Sequence, residues 1–85
     1  MIKAKSKIGI YAGSFDPVHL GHITFALQAI EEGKLDKVYF LPERMPRDKN
    51  VHEHFGHRVA MIKTAVRPHN KLDLLELDDR TFTIL

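Results

Sequence analysis

Two histidines, two glycines and an Asp-Pro pair fall within Gly13-Ser14-Phe15-Asp16-Pro17-Val18-His19-Leu20-Gly21-His22. Imidazole rings donate hydrogen bonds to phosphate oxygens. Gly13 and Gly21 carry no Cβ, so backbone or ligand can approach them closely. His19 and His22 are three positions apart and share a face wherever this stretch is helical. A glycine turn that opens a helix aims several N–H groups at one place, and the helix end adds partial positive charge there. These residue types at this spacing suit the binding of an anion. Nearby phosphate would raise the imidazole pKa values and the helix end would lower them, and the sequence leaves that balance open. The bland alternative is a strand-to-helix turn with incidental histidines. Asp16 reads equally as a turn or cap side chain or as part of a phosphate or metal shell.

The elements around this segment follow from periodicity. Ile8-Gly9-Ile10-Tyr11-Ala12 is an apolar run that predicts a buried strand ending at Gly13-Ser14. From about His19 the period becomes helical, with Ile23, Ala26, Leu27 and Ile30 on one inward face and Gly33 as the stop. Lys37-Val38-Tyr39-Phe40-Leu41 predicts a second strand closed by Pro42, followed by a polar loop over 43–53. A second helix is expected over 55–66, with Val59, Ile62 and Val66 inward and Pro68-His69-Asn70 ending it. A third strand is expected over 72–77. Strand, helix, strand, helix, strand packs most simply as parallel βαβ units with right-handed crossovers. Ligands of such sheets sit beyond the carboxyl ends of the strands, where the loop 13–17 lies. The apolar ending Thr81-Phe82-Thr83-Ile84-Leu85 carries no stop signal, so truncation after about three strands is expected. The outer edge of the first strand is then left unpaired, and self-association through that edge is expected.

Composition narrows the class. The chain has 85 residues, 44% hydrophobic and 28% charged, which suits one small globular unit and not a disordered chain. A formal net charge of +2, spread along the chain, gives no nucleic-acid footprint. There are no cysteines, which excludes disulfides, thiolate metal sites and a cysteine nucleophile and suits a cytoplasmic protein. No run approaches the roughly 20 apolar residues of a membrane-spanning helix, so no membrane partner is expected. His52-Glu53-His54-Phe55-Gly56-His57 matches no metal motif and reads as adventitious surface histidines. Arg58 reads as a partner for a carboxylate at the start of its helix.

The segment 13–22 resembles the G-x-F-D-P-x-H-x-G-H motif of the HxGH nucleotidyltransferase superfamily, most closely the bacterial nicotinate-nucleotide adenylyltransferase branch. Pro46-Arg47-Asp48-Lys49 sits where that branch has P-P-H-K. His57-Arg58-Val59-Ala60-Met61 resembles its following helix, and Thr81-Phe82-Thr83 stands where S-Y-T is common. Phosphopantetheine adenylyltransferases resemble it too, but typically carry Thr where His19 stands. The resemblance implies an α/β, Rossmann-like three-layer nucleotidyltransferase fold with a parallel sheet, of which this chain is the N-terminal part of a single domain. It implies adenylyl transfer from ATP to nicotinate mononucleotide in NAD biosynthesis, with release of pyrophosphate.

Carried over, the resemblance makes His19 and His22 the catalytic pair. Gly13, Ser14, Phe15, Asp16 and Gly21 line the ATP phosphates, with backbone amides at Ser14 and Phe15 donating. Lys49, Phe82 and Thr83 contact the acceptor. Mg2+ is expected to arrive with ATP, with no dedicated metal site in the protein. Arg47-Asp48 and Phe82 depart from the branch pattern and leave other phosphorylated acceptors open, phosphopantetheine among them, as well as a cytidylyl donor. Lys49 also suits a solvated surface lysine, and Thr81-Phe82-Thr83 the start of a helix or turn. A fragment of a class I aminoacyl-tRNA synthetase, which also carries H-x-G-H, and a non-catalytic nucleotide-binding or assembly unit are the remaining alternatives.

Overall fold

Alternating strand and helix segments produce a parallel sheet because each helix returns the chain to the same end of the sheet. The structure, a computed structural model, describes residues 6–44 and 54–76. They form β1 (Ile8–Gly13), α1 (Leu20–Gly33), β2 (Lys37–Pro42), α2 (Phe55–Val66) and β3 (Leu72–Leu74). The strands lie in the order β1-β2-β3 and pair in parallel. This is the expected α/β architecture with a parallel sheet.

The register explains the core. Gly9 and Tyr11 align with Val38 and Phe40, and these with Leu72 and Leu74. Aligned residues share a sheet face. Val38, Phe40 and Leu72 on that face join Phe15, Ile23, Ala26, Ile30, Ile62 and Val66 in one core, so both helices pack on the same side. Two successive right-handed crossovers in one direction require this. The opposite face carries Ile8 and Ile10, 54% and 51% exposed. The expectation of a fully buried first strand is therefore corrected. Among the described residues β1 is an edge strand covered on one face only.

The helices keep their expected phases with two adjustments. In α2 the inward positions are Val59, Ile62 and Val66 as expected, with Arg58 added. In α1, Ile23, Ala26 and Ile30 are buried, but Leu27 lies on the flank and is exposed. The stop is also displaced by one residue. Lys34, not Gly33, takes the left-handed conformation (φ 54°), and its N–H returns to the Ile30 carbonyl. A Cβ on Gly33 would sit 3.3 Å from Leu35 Cγ, so the glycine makes room for the leucine that follows. Lys7 then ties the start of β1 to this corner. Its N–H donates to Asp36 Oδ2 (2.7 Å), its carbonyl accepts from Asp36 N–H (2.6 Å), and its Nζ reaches the Gly33 carbonyl (2.9 Å).

The third strand is shorter than expected. It ends at Leu74, although Leu75 N–H still donates to the Phe40 carbonyl (2.9 Å). Among the described residues no helix is long and apolar enough to cross a membrane.

Ile62 is wholly buried between α2 and the sheet, whereas Leu20 is largely exposed. Ile62→Ala is expected to lower unfolding free energy by about 2–5 kcal/mol in urea titrations. Leu20→Ala is expected to change it by no more than about 0.5 kcal/mol.

Candidate active site

The carboxyl end of β1 is held to β2 by one further ladder bond, Glu43 N–H to the Gly13 carbonyl at 2.9 Å. The chain then turns sharply. Phe15 adopts φ 47°, a left-handed conformation that costs a non-glycine residue roughly 1–2 kcal/mol. Burial of its ring offsets that cost. The ring packs on Tyr11 and Phe40 with centroids at 5.2 Å, and edge-on to His22 at 5.0 Å. Gly13 makes this possible, because a Cβ there would sit 3.2 Å from Phe15 Cζ. The Asp16–Pro17 peptide is cis. The sequence pointed to a turn here, and its left-handed position falls on Phe15, while no glycine in the described residues has positive φ.

The two histidines begin α1 as a reciprocal cap. His19 is the N-cap residue with extended backbone, and its Nδ1 accepts from Gly21 N–H at 3.0 Å. His22, at the third helical position, uses its own Nδ1 to accept from His19 N–H at 3.0 Å. Imidazole thus fills both places usually held by Ser or Thr and by Glu or Gln in a capping box. The neutral rings must then carry their protons on Nε2. Each histidine is left with one N–H donor, next to a helix N-terminus whose partial charge favours anions.

The rings lie with centroids 3.9 Å apart. A Cβ on Gly21 would stand 2.9 Å from His19 Cε1, so Gly21 is what lets the His19 ring fold over the helix start. Burial, and then the neighbouring His19, lower the pKa of His22 below 6.5. Both causes favour the neutral form of His22, and neither is the helix end.

Arg58 is the functional residue whose role the sequence left too small. Its guanidinium, 1% exposed, reaches from α2 across the sheet end. It donates to the carbonyls of Ser14 (2.6 Å), Glu43 (2.8 Å) and Arg44 (3.0 Å). Burial lowers its pKa, while Asp16 and Glu43 act to raise it. The signal was present. Arg58 stands one turn before Ile62 on the apolar stripe of α2, where a solvated arginine does not belong. Buried Glu43 gave no comparable signal. Arg58 and Arg44 also lie over the Phe55 ring, at 5.3 and 4.3 Å.

The structure therefore brings Gly13, Ser14, Phe15, Asp16, His19, Gly21 and His22 into one turn. Lys49, Phe82, Thr83 and His52 lie outside the described residues. His54 and His57 have ring centroids 6.3 Å apart, and among the described residues no three His, Cys, Asp or Glu side chains gather as metal ligands. An open groove of about 410 Å³ between Pro17, Val18 and α2 adjoins the turn. Its one hydroxyl, on Thr64, is committed to the Ala60 carbonyl, so its lining is unsuited to phosphate.

Because the folded-state pKa of His22 lies below its unfolded value, the unfolded chain binds more protons between the two. Stability is expected to fall as pH drops through 6.5 and to level off below the folded-state pKa. His22→Gln keeps a side chain able to complete the cap and removes the titration. Urea midpoints at pH 7.5 and 5.5 are expected to differ less in that variant than in the parent chain. Gly21→Ala is expected to leave the melting temperature nearly unchanged, since the helix propensity gained offsets the cap bond lost when the His19 ring swings aside. It should weaken triphosphate binding about tenfold by displacing His19, as measured by calorimetric titration.

Comparison with known proteins agrees with this geometry. The chain is 38% identical over 76 residues to nicotinate-nucleotide adenylyltransferase of Bacillus subtilis, covering 85% of this chain and 40% of the relative. It is 40% identical over 74 residues to a probable nicotinate-nucleotide adenylyltransferase of Coprothermobacter proteolyticus, covering 86% and 38%. Its fold superposes with a TM-score of 0.74 on nicotinic acid mononucleotide adenylyltransferase of Plasmodium falciparum solved with NaAD, at 23% identity, covering 95% of this chain and 41% of that one. The chain thus spans about 40% of the length of the curated relatives it matches. The cytidylyltransferase-like family model matches residues 10–83, which includes the whole histidine-capped turn from Gly13 to His22. With that match over most of its length and the parallel βαβ frame beneath it, the chain belongs to the cytidylyltransferase-like family.

Proposed function

We propose that this chain supplies the triphosphate-binding half of an adenylyltransferase that joins ATP to nicotinate mononucleotide. One observation carries the reading. The reciprocal cap ties both Nδ1 atoms and leaves two Nε2–H donors beside the N-terminus of α1. Three matching sources of positive potential then serve one anion: the helix end, His19 and His22. Gly13, Ser14, Phe15, Asp16 and Gly21 line the same turn. The names of the relatives support nicotinate mononucleotide as acceptor. Lys49, Phe82 and Thr83 are proposed to contact it.

In the reaction an oxygen of the acceptor's phosphate attacks the α-phosphorus of ATP. The new P–O bond forms as the bond to the bridging oxygen breaks, and pyrophosphate leaves with the electron pair. The protein forms no covalent intermediate. It aligns the two phosphates and stabilises charge that grows on the α-phosphoryl and leaving oxygens. Ring N–H donors serve this without needing a proton transfer. Mg2+ is a hard cation that prefers oxygen, and donors of the imidazole N–H type do not suit it. It is accordingly read as part of the ATP substrate, held by phosphate oxygens. The edge of β1, unpaired among the described residues and with Ile8 and Ile10 exposed beside it, also supports self-pairing of two copies, which sedimentation velocity would register as a dimer. A persistent monomer at high concentration would refute that pairing.

The test is pyrophosphate release by a polypeptide carrying this chain at the length of its relatives. ATP is offered with nicotinate mononucleotide, nicotinamide mononucleotide or phosphopantetheine, and CTP replaces ATP in a parallel set. Release is expected with ATP and nicotinate mononucleotide. His22→Ala should lower kcat about a hundredfold or more, with a smaller effect on KM. Turnover with a different acceptor alone would transfer the assignment to that acceptor. Near-normal turnover in His22→Ala would remove the histidine from the mechanism.

A further inference from the structure

Arg58 is too deeply buried to serve as a surface cation, and its hydrogen bonds go to backbone carbonyls at the rim of the phosphate turn. The direction of those bonds matters. A trans peptide is planar, so the carbonyl of Ser14 and the N–H of Phe15 point in opposite directions. Arg58 draws the Ser14 carbonyl toward α2 at 2.6 Å, which turns the Phe15 N–H away from α2. The preceding peptide is set in the same manner. The Gly13 carbonyl accepts from Glu43 N–H, so the Ser14 N–H faces away from β2. Arg58 also holds the carbonyl of Glu43, and so braces the residue that makes this bond. Phe15 at φ 47° supplies the left-handed residue that a main-chain anion-binding concavity uses.

We propose that Arg58 is a positioning residue for the phosphate site, locking the Ser14–Phe15 peptide so that the Phe15 N–H faces the triphosphate. This rests on the reading of the β1–α1 turn as a phosphate site. Arginine suits the task because one planar fork reaches three carbonyls, whereas lysine keeps the charge and loses the fork. The charged groups acting on the guanidinium are Asp16 and Glu43. Arg58→Lys retains a cation beside both, so it isolates the loss of geometry.

The test is titration of the 15N-labelled chain with inorganic tripolyphosphate, followed by NMR. In the parent chain the Phe15 amide and the His19 and His22 ring resonances are expected to shift together. In Arg58→Lys the ring responses and the β2 and β3 amides are expected to persist. The Phe15 response should disappear and affinity should fall about tenfold, the loss of one charge-assisted hydrogen bond. A purely structural role would move the β2 and β3 amides and leave the Phe15 response in proportion to the rings. If Arg58→Lys binds with unchanged affinity and an intact Phe15 response, the proposal is overturned. Ring responses without a Phe15 response in the parent chain overturn it as well, with no variant required. Should the variant lose its fold, that parent-chain result decides. Silence of rings and amides alike in the parent chain would instead refute the phosphate site itself.

Discussion

A single buried cation holds the end of this sheet together. Three carbonyls from two different strand ends, those of Ser14 beyond β1 and of Glu43 and Arg44 beyond β2, converge on Arg58. Buried carbonyls left without donors cost about 1–3 kcal/mol each. A helix N-terminus is an unfavourable place for a cation, and burial adds to the penalty. The arrangement is tolerated because three carbonyls accept from the guanidinium and two carboxylates act on it. The guanidinium thereby does from α2 what another strand would do elsewhere: it closes the polar edge where β1 and β2 end and the loops begin.

From that fixed rim the turn into α1 is built by compensation. A left-handed phenylalanine costs energy and regains it by inserting an aromatic ring between Tyr11, Phe40 and His22. That ring passes over Gly13, and the His19 ring passes over Gly21. The two glycines serve the same end, since each gives up a Cβ so that an aromatic ring from two residues away can fold back. The turn is therefore shaped by local folding, and its energy is drawn from its own aromatic rings.

Much of this was legible in the residues. The order of elements, the parallel sheet and the inward face of α2 followed from periodicity, because a helix stripe at 59, 62 and 66 has no competing interpretation. The histidine motif marked the start of α1, where the structure places both rings as a reciprocal cap. What stayed hidden depended on contacts across the chain. Exposure of β1 is decided by which elements lie beside it, and an apolar run does not carry that information. Gly33 was read as the stop of α1, yet the left-handed residue there is Lys34, and in the turn after β1 it is Phe15. Arg58 was visible as an anomaly on an apolar stripe, but its partners lie 14 to 44 residues away.

The capping role of His19 limits what evolution can place there. Any replacement must start α1 as well as present a polar group at the turn. Alanine or valine would fray the helix. Threonine, the type that typically stands at this position in the phosphopantetheine branch, is itself a favoured N-cap. Imidazole and hydroxyl are therefore interchangeable at this position without first repairing the start of the helix.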